Sequence, residues 1–272
     1  MAHRHVQDRV YAQATAEPGA FWNAQAQNVY WHRKPQKPFH KSKKVLKSGV
    51  THEDYIWFPG GEISTTYNCV DRHVNNGHGN NVALYWDSPV TGIKEQFTYY
   101  QLLQEVETLA GVLKEEGVEQ GDVVLIYMPM IPAAVFAMLA VARLGSIHAV
   151  VFGGFAPSAL AQRIEASQPR VIMTASCGIE GSKGPMGYKN IIEEAVEISA
   201  FKPSKTIIWQ RDQLRWHPVL MENGQRDWQR LCRSAKSRGL KAHAVPVRSE
   251  DVLYIIYTSG TSASTDISMH ET

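Results

Sequence analysis

The sequence is poor in cysteine: Cys69, Cys177 and Cys232 stand far apart, with no CxxC pair. An odd, dispersed set excludes a disulfide-stapled scaffold and a cysteine zinc site, and reads as reduced and intracellular. Apolar residues are also sparse at the start, and no secretory leader is expected there. The opening MAHRHVQDRVYAQ has no signal-type segment, so the cytoplasm is the expected compartment; Asp8 and Glu17 weaken a mitochondrial transit reading without excluding it. Charge of one sign is also lacking, since 28 Lys and Arg meet 26 Asp and Glu. That balance argues against a chain built to bind nucleic acid or acidic membranes. Val123 to Ala142 is uncharged over a spanning length, but it contains Pro129 and Pro132 and is closed by Asp122 and Arg143. Proline removes a backbone donor, so this run predicts a buried strand, a turn and a buried helix, not a membrane span. There is no G-x-S-x-G elbow, no H-E-x-x-H among the 11 histidines and no G-x-x-x-x-G-K-[ST] loop. Neither a catalytic residue nor a metal ligand is assigned from the sequence.

What is present is the composition of a globular chain, 44% hydrophobic and 20% charged. At 272 residues it can bury roughly three quarters of its unfolded surface without staples. Residues 18–52 contain no acid but hold Arg33, Lys34, Lys37, Lys41, Lys43, Lys44 and Lys47, interleaved with Trp31, His32, Phe39 and His40. With the total charge balanced and no RNA or DNA motif beside it, this stretch predicts an extended, solvated arm laid over a larger domain.

From Val82 the pattern becomes regular. Val82 to Trp86 and Gln96 to Tyr99 read as short strands around Ser88-Pro89-Val90-Thr91-Gly92. Thr98-x-x-Gln101 spells a capping box, opening a helix whose Leu102, Val106, Leu109 and Leu113 share one face. Strands at 123–127, 147–152, 170–174, 206–210 and 252–257 alternate with helices at 132–144, 158–166, 188–199 and 227–238. Strands apolar on both faces and alternating with helices predict an α/β fold: a doubly wound, mostly parallel sheet with helices on both sides.

In such sheets ligands sit beyond the C-terminal strand ends. Two segments fall there. Phe152-Gly153-Gly154-Phe155 lets the backbone approach a ligand closely, or simply makes a tight turn. Tyr257-Thr258-Ser259-Gly260-Thr261 offers hydroxyls and a flexible backbone to a phosphate, or caps a helix as a polar turn. Asp71-Arg72-His73 resembles an acid–base cluster, but sequence neighbours do not share a helix face, so a helix N-terminal contact is expected instead.

Taken in order, Trp57-Phe58-Pro59-Gly60-Gly61, Tyr67-Asn68-Cys69-Val70-Asp71-Arg72-His73, Gly121-Asp122-Val123 with Tyr127-Met128-Pro129-Met130, Ala142 to Phe155, and Tyr257 to Thr261 resemble the acetyl/propionyl-CoA synthetases. The resemblance runs from about Tyr11 to Thr261 and covers only the N-terminal half of a family member. The segment Ala175 to Pro185 looks more like the propionyl-type branch. The resemblance implies a ligase that joins a short carboxylic acid, propionate or acetate, to CoA through an acyl-adenylate, using ATP and Mg²⁺. It implies ATP phosphate contacts at Thr258, Ser259, Gly260 and Thr261, and CoA contacts at Gly153, Gly154, Glu180, Gly181, Ser182 and Lys183. Acetyl-type members place two arginines where this chain has Glu180 and Lys183; a lysine can meet a phosphate as a point charge, whereas Glu180 repels it.

The family's loop continues as Thr-Gly-x-Pro-Lys-Gly, but here Ser262 to Thr272 departs from it without a lysine. The expected organisation is an N-terminal arm and cap over 1–60, the N-terminal part of an AMP-dependent synthetase domain over 61–261, and a disordered tail over 262–272. The expected chain is a truncated or mis-spliced synthetase, inactive alone, with its 252–257 strand left at a sheet edge and therefore poorly soluble. The alternative is a non-catalytic fragment that binds CoA or nucleotide, or pairs with an intact synthetase. No nucleic-acid or membrane partner is expected.

Overall fold

The computed structural model describes residues 5–47, 49–179, 184–214, 221–222, 224–258 and 266–271, the side chains of 213 and 266–271 excepted. It divides into two units, one of residues 1–64, 246–251 and 271–272 and one of 65–245 and 252–270.

In the smaller unit the expected extended arm is instead two helices and a hairpin. Helix α1 (Val6–Ala16) precedes α2 (Pro18–Gln25), which begins at proline, where a missing N–H costs nothing. Strands β1 (Phe39–Val45) and β2 (Thr51–Trp57) then pair antiparallel, with Phe39 opposite Trp57. The acids missing from 18–52 arrive on the second strand: Glu53 lies 3.6 Å from both Lys41 and Lys43. The Phe39 and Trp57 rings sit 5.5 Å apart. Cross-strand charge and aromatic pairs of this kind hold a hairpin without burying it. Strand β3 (Glu62–Ile63) follows.

The larger unit opens with a π-helical turn, Tyr67–Asp71. Strands β4 (Val82–Ser88) and β5 (Ile93–Thr98) make a hairpin leading into α3 (Tyr99–Glu115). The capping box is formed: the Gln101 N–H donates to the Thr98 hydroxyl at 3.2 Å, and the Thr98 N–H to the Gln101 side chain at 2.8 Å. The chain continues through β6 (Val123–Met128), α4 (Pro132–Arg143), β7 (Ile147–Phe152), α5 (Pro157–Ser167) and β8 (Val171–Ala175). After the small antiparallel pair β9 (Cys177–Ile179) and β10 (Pro185–Gly187) come α6 (Tyr188–Ile198), β11 (Lys205–Trp209), β12 (Gln225–Asp227) and α7 (Trp228–Ser237). Strand β13 (Val247–Arg248) returns to the smaller unit and pairs antiparallel with β3. Last are β14 (Val252–Thr258) and β15 (Asp266–Glu271).

One sheet runs β12-β11-β8-β6-β7-β14-β15, and the pairs from β12 to β14 are all parallel. Helices α3, α4 and α7 bury their apolar faces with Val124, Ile126 and Met173 on one side of it. Helices α5 and α6 do so with Leu125, Tyr127 and Ile172 on the other. The uncharged run from Val123 thus divides into β6 and α4, and among the described residues no helix is long and apolar enough to cross a membrane. Two tail expectations are corrected. Residues 266–271 form a strand rather than disordered chain, and β14 is not the edge, because β15 pairs beside it. An open β14 edge is a row of unpaired N–H and C=O groups, which an added strand satisfies. Ile267 and Met269 alternating with polar residues were the signal.

Candidate functional site

The chain leaves β6 toward α4 on one face of the sheet and leaves β7 toward α5 on the other. Between such departures the strand ends open a crevice. A cavity of about 200 Å³ lies there, walled by Met128 at the end of β6 with Pro129 and Met130 after it, by Phe152 and Gly153 of the β7 end, by residues 86–90 at the end of β4, and by Ile179 and Arg211.

The glycine turn is held from below. Tyr127, the fully buried penultimate residue of β6, donates its hydroxyl to the Phe155 carbonyl and accepts from the Gly154 N–H, both at 3.1 Å. The Thr174 hydroxyl of β8 donates to the Tyr127 carbonyl at 2.8 Å, and the Tyr188 ring packs 4.9 Å from that of Tyr127. Gly154 has φ +96°, a conformation a side chain would strain. Gly178 is required for space: a Cβ there would lie 2.4 Å from the Tyr188 hydroxyl.

Arg163 of α5 joins this turn to the end of β14. Its guanidinium lies 4.4 Å from the centre of the Phe155 ring and 5.1 Å from that of Tyr257, and the Tyr257 hydroxyl donates to the Arg163 carbonyl at 3.2 Å. Burial raises the Tyr257 hydroxyl above its ordinary pKa, so it stays a neutral donor. On the other flank, the Arg211 N–H donates to the Ser176 hydroxyl at 2.9 Å, and its Nη1 to the Cys177 carbonyl at 3.4 Å. Burial holds Cys177 above the ordinary thiol range and Arg211 below the ordinary guanidinium range.

The sequence-predicted residues divide three ways. Gly153 and Gly154 form the pinned turn, and Gly153 lines the cavity. Glu180, Gly181, Ser182 and Lys183 lie outside the described residues; the strands on either side of them, β9 and β10, pair, and Ile179 of β9 lines the same cavity as Gly153. Thr258 is the exposed last residue of β14, one strand from the glycine turn, while Ser259, Gly260 and Thr261 lie outside the described residues. Asp71 does not contact a helix N-terminus as expected. It accepts from Arg143 Nη1 and Nη2 at 2.8 and 2.9 Å. Tyr127, Arg163 and Arg211 were not singled out, since each acts through a partner on a different strand or helix; a polar residue inside an otherwise apolar strand was the available signal for Tyr127. Among the described residues no group of three or more His, Cys, Asp or Glu comes together to hold a metal ion. Mg²⁺ is therefore assigned to no residue.

The description "AMP-binding enzyme" matches residues 70–264, and "Acetyl-coenzyme A synthetase N-terminus" matches residues 7–69. The chain is 42% identical over 254 residues to an uncharacterized protein of Pseudomonas aeruginosa, covering 93% of this chain and 38% of that protein. It is 42% identical over 252 residues to the human mitochondrial acyl-CoA synthetase short-chain family member 3, covering 93% and 35%. To the acetyl-coenzyme A synthetase of Leptospira biflexa it is 35% identical over 266 residues, covering 96% and 39%. The chain thus spans well under half the length of these relatives. Among solved structures, the acetoacetyl-CoA synthetase from Streptomyces lividans superposes with a TM-score of 0.78 at 21% identity, over 96% of this chain and 37% of that one. At that identity the likeness is one of fold.

Proposed function

The chain belongs to the AMP-binding enzyme family, with an acetyl-coenzyme A synthetase type N-terminus, and on that premise we propose that it serves short-chain acyl-CoA synthesis. In the proposed reaction a carboxylate oxygen attacks the α-phosphorus of ATP and pyrophosphate leaves. The CoA thiol then attacks the acyl carbon, and AMP leaves. Propionate is the proposed acid, with acetate second, because the Ala175 to Pro185 segment reads as propionyl-type. The proposed compartment is the cytoplasm.

The observation that carries this reading is the turn pinned by Tyr127. It presents backbone at Gly153–Gly154 in a crevice at the strand ends, beside the β9–β10 pair that brackets Glu180 to Lys183. This chain's part is to bind and orient. Gly153, Gly154, Glu180, Gly181, Ser182 and Lys183 would meet CoA, and Thr258 through Thr261 would meet the ATP phosphates. Such transfers depend on positioning and charge neutralisation, so displacing the turn would cost rate as well as affinity.

A second reading, a binding role without catalysis or one exerted on an intact synthetase, is favoured by a specific feature. The segment Ser262 to Thr272 carries no lysine where the family's loop has one, and Glu180 and Asp266 are acids in or next to the segments proposed to meet phosphate. Titration with CoA and ATP–pyrophosphate exchange with propionate and acetate separate the two readings. We expect CoA binding that Tyr127→Phe weakens, and no exchange by this chain alone. Exchange above background would sink the binding-only reading; absence of both CoA and ATP binding would sink both.

A further inference from the structure

A second cavity of about 380 Å³, sharing Trp86, Ile131 and Arg211 with the first, lies between α4, α7 and the β4–β5 hairpin. Its apolar wall is Trp86, Phe97, Phe136, Trp209 and Trp228, and the two cavities meet at Arg211. The wall is preformed. Trp209 and Trp228 pack edge to face at 5.3 Å, and the Trp86 indole N–H donates to the Met130 carbonyl at 3.1 Å.

The two most buried arginines are unequally served. Arg143, 1% exposed, has Asp71 and Glu107 as carboxylate partners and donates its Nε to the Ala242 carbonyl at 2.7 Å. Arg211, 5% exposed, makes among the described residues a single side-chain hydrogen bond, the 3.4 Å one to the Cys177 carbonyl, and has no carboxylate partner. A guanidinium stays charged, and a buried charge without a counter-ion is costly. The rest of the lining does not supply one. At the rim Lys236 pairs with Glu105 at 2.6 Å, and Glu95 and Arg233 add one charge of each sign to the lining, so these four sum to zero. Cys232 in the wall is pushed up to about 12 by burial and stays a neutral thiol. A cation with no carboxylate partner among the described residues, at the end of an aromatic cavity, selects a ligand with one anionic end and an apolar body.

We propose that this cavity binds a small monocarboxylate with an aromatic hydrocarbon body, its carboxylate on the Arg211 guanidinium and its ring among Trp86, Trp209 and Trp228. The proposal stands apart from the ligase reading, since neither ATP nor CoA takes part in it.

Isothermal titration of the full chain with 3-phenylpropionate and its neutral counterpart 3-phenylpropanol tests it. The acid should bind saturably, and the alcohol about tenfold or more weakly, the effect expected of a charge-assisted pair. Arg211→Met should erase the difference between the two probes, and Arg211→Lys, which keeps charge without the planar fork, should keep part of it. Ala133→Leu, which fills the cavity from the first turn of α4, should weaken both probes. If Arg211→Met does not fold, the lysine and Ala133 variants carry the test. No saturable binding of the acid, equal binding of acid and alcohol, or acid binding indifferent to the folded Arg211 and Ala133 variants overturns the proposal.

Discussion

Arg143 and His148 show how a single buried group ties this fold to charge. Arg143 ends α4 and reaches Asp71, Glu107 and the Ala242 carbonyl, and Glu107 in turn meets Lys241 at 2.9 Å. Removing one member of a buried pair leaves the other uncompensated, so Arg143→Met should cost about 3–5 kcal/mol. Adding Asp71→Asn to it should recover part of the loss. Urea midpoints of the single and double variants check this, and a double variant no more stable than the single would contradict it. His148 of β7 lies against the Tyr254 ring at 5.6 Å, its Nδ1 has no hydrogen-bond partner among the described residues, and burial pushes it down to about 4. Below about pH 6.5 the unfolded imidazole takes up a proton that the folded one refuses. Its contribution is therefore complete above that pH and is lost as pH falls toward 4, at most about 3 kcal/mol given its residual exposure. Unfolding free energies between pH 7 and 4.5 should rise with pH, and His148→Phe should flatten that slope.

At the scale of elements, signals held within one segment were readable and those shared between segments were not. The capping box is local: Thr98 and Gln101 are three residues apart and form both reciprocal bonds. Thr98→Ala should lower stability by about 1 kcal/mol, read as a shift in the urea midpoint. The alternation of apolar strands and helices placed the parallel sheet from Val123 to Tyr257, because each strand buried on both faces is written as a continuous apolar run. The hairpin of β1 and β2 was missed, since its lysines find their acids across the strands and not along them. The candidate site was half legible for the same reason. Gly153-Gly154 can be read from sequence, but the Tyr127 hydroxyl that fixes it and the Arg163 stack that links it to Tyr257 depend on which strands and helices become neighbours. Element packing also explains why Gly178 is irreplaceable: Gly178→Ala would push β9 off Tyr188 and should cost about 1–3 kcal/mol.

For the whole molecule, burial is shared unevenly and so, accordingly, should stability be. In the smaller unit α1 and α2 contain no buried residue, and β1 and β2 are exposed along most of their length. Backbone amides there should exchange with solvent far sooner than those of β6 and β8, whose residues are almost all buried, a difference that hydrogen-exchange mass spectrometry resolves. The sheet is uneven as well. The face that α3, α4 and α7 cover over β6 and β8 continues onto β7 and β14, where Val150, Phe152 and Ile256 are 42%, 64% and 43% exposed. Register puts His148 beside Tyr254, and alternation then puts Val150, Phe152 and Ile256 on that same side. A contiguous apolar strip on a sheet is an association surface. Pairing of β15 beside β14 shifts the open hydrogen-bonding edge to a shorter, more polar strand but leaves this face bare, so poor solubility remains the expected behaviour through a route different from edge pairing. Sedimentation velocity should show concentration-dependent self-association that Val150→Thr with Ile256→Lys reduces, whereas a proline placed in β15 should not suppress it. Association abolished by the β15 change alone would return the cause to the edge.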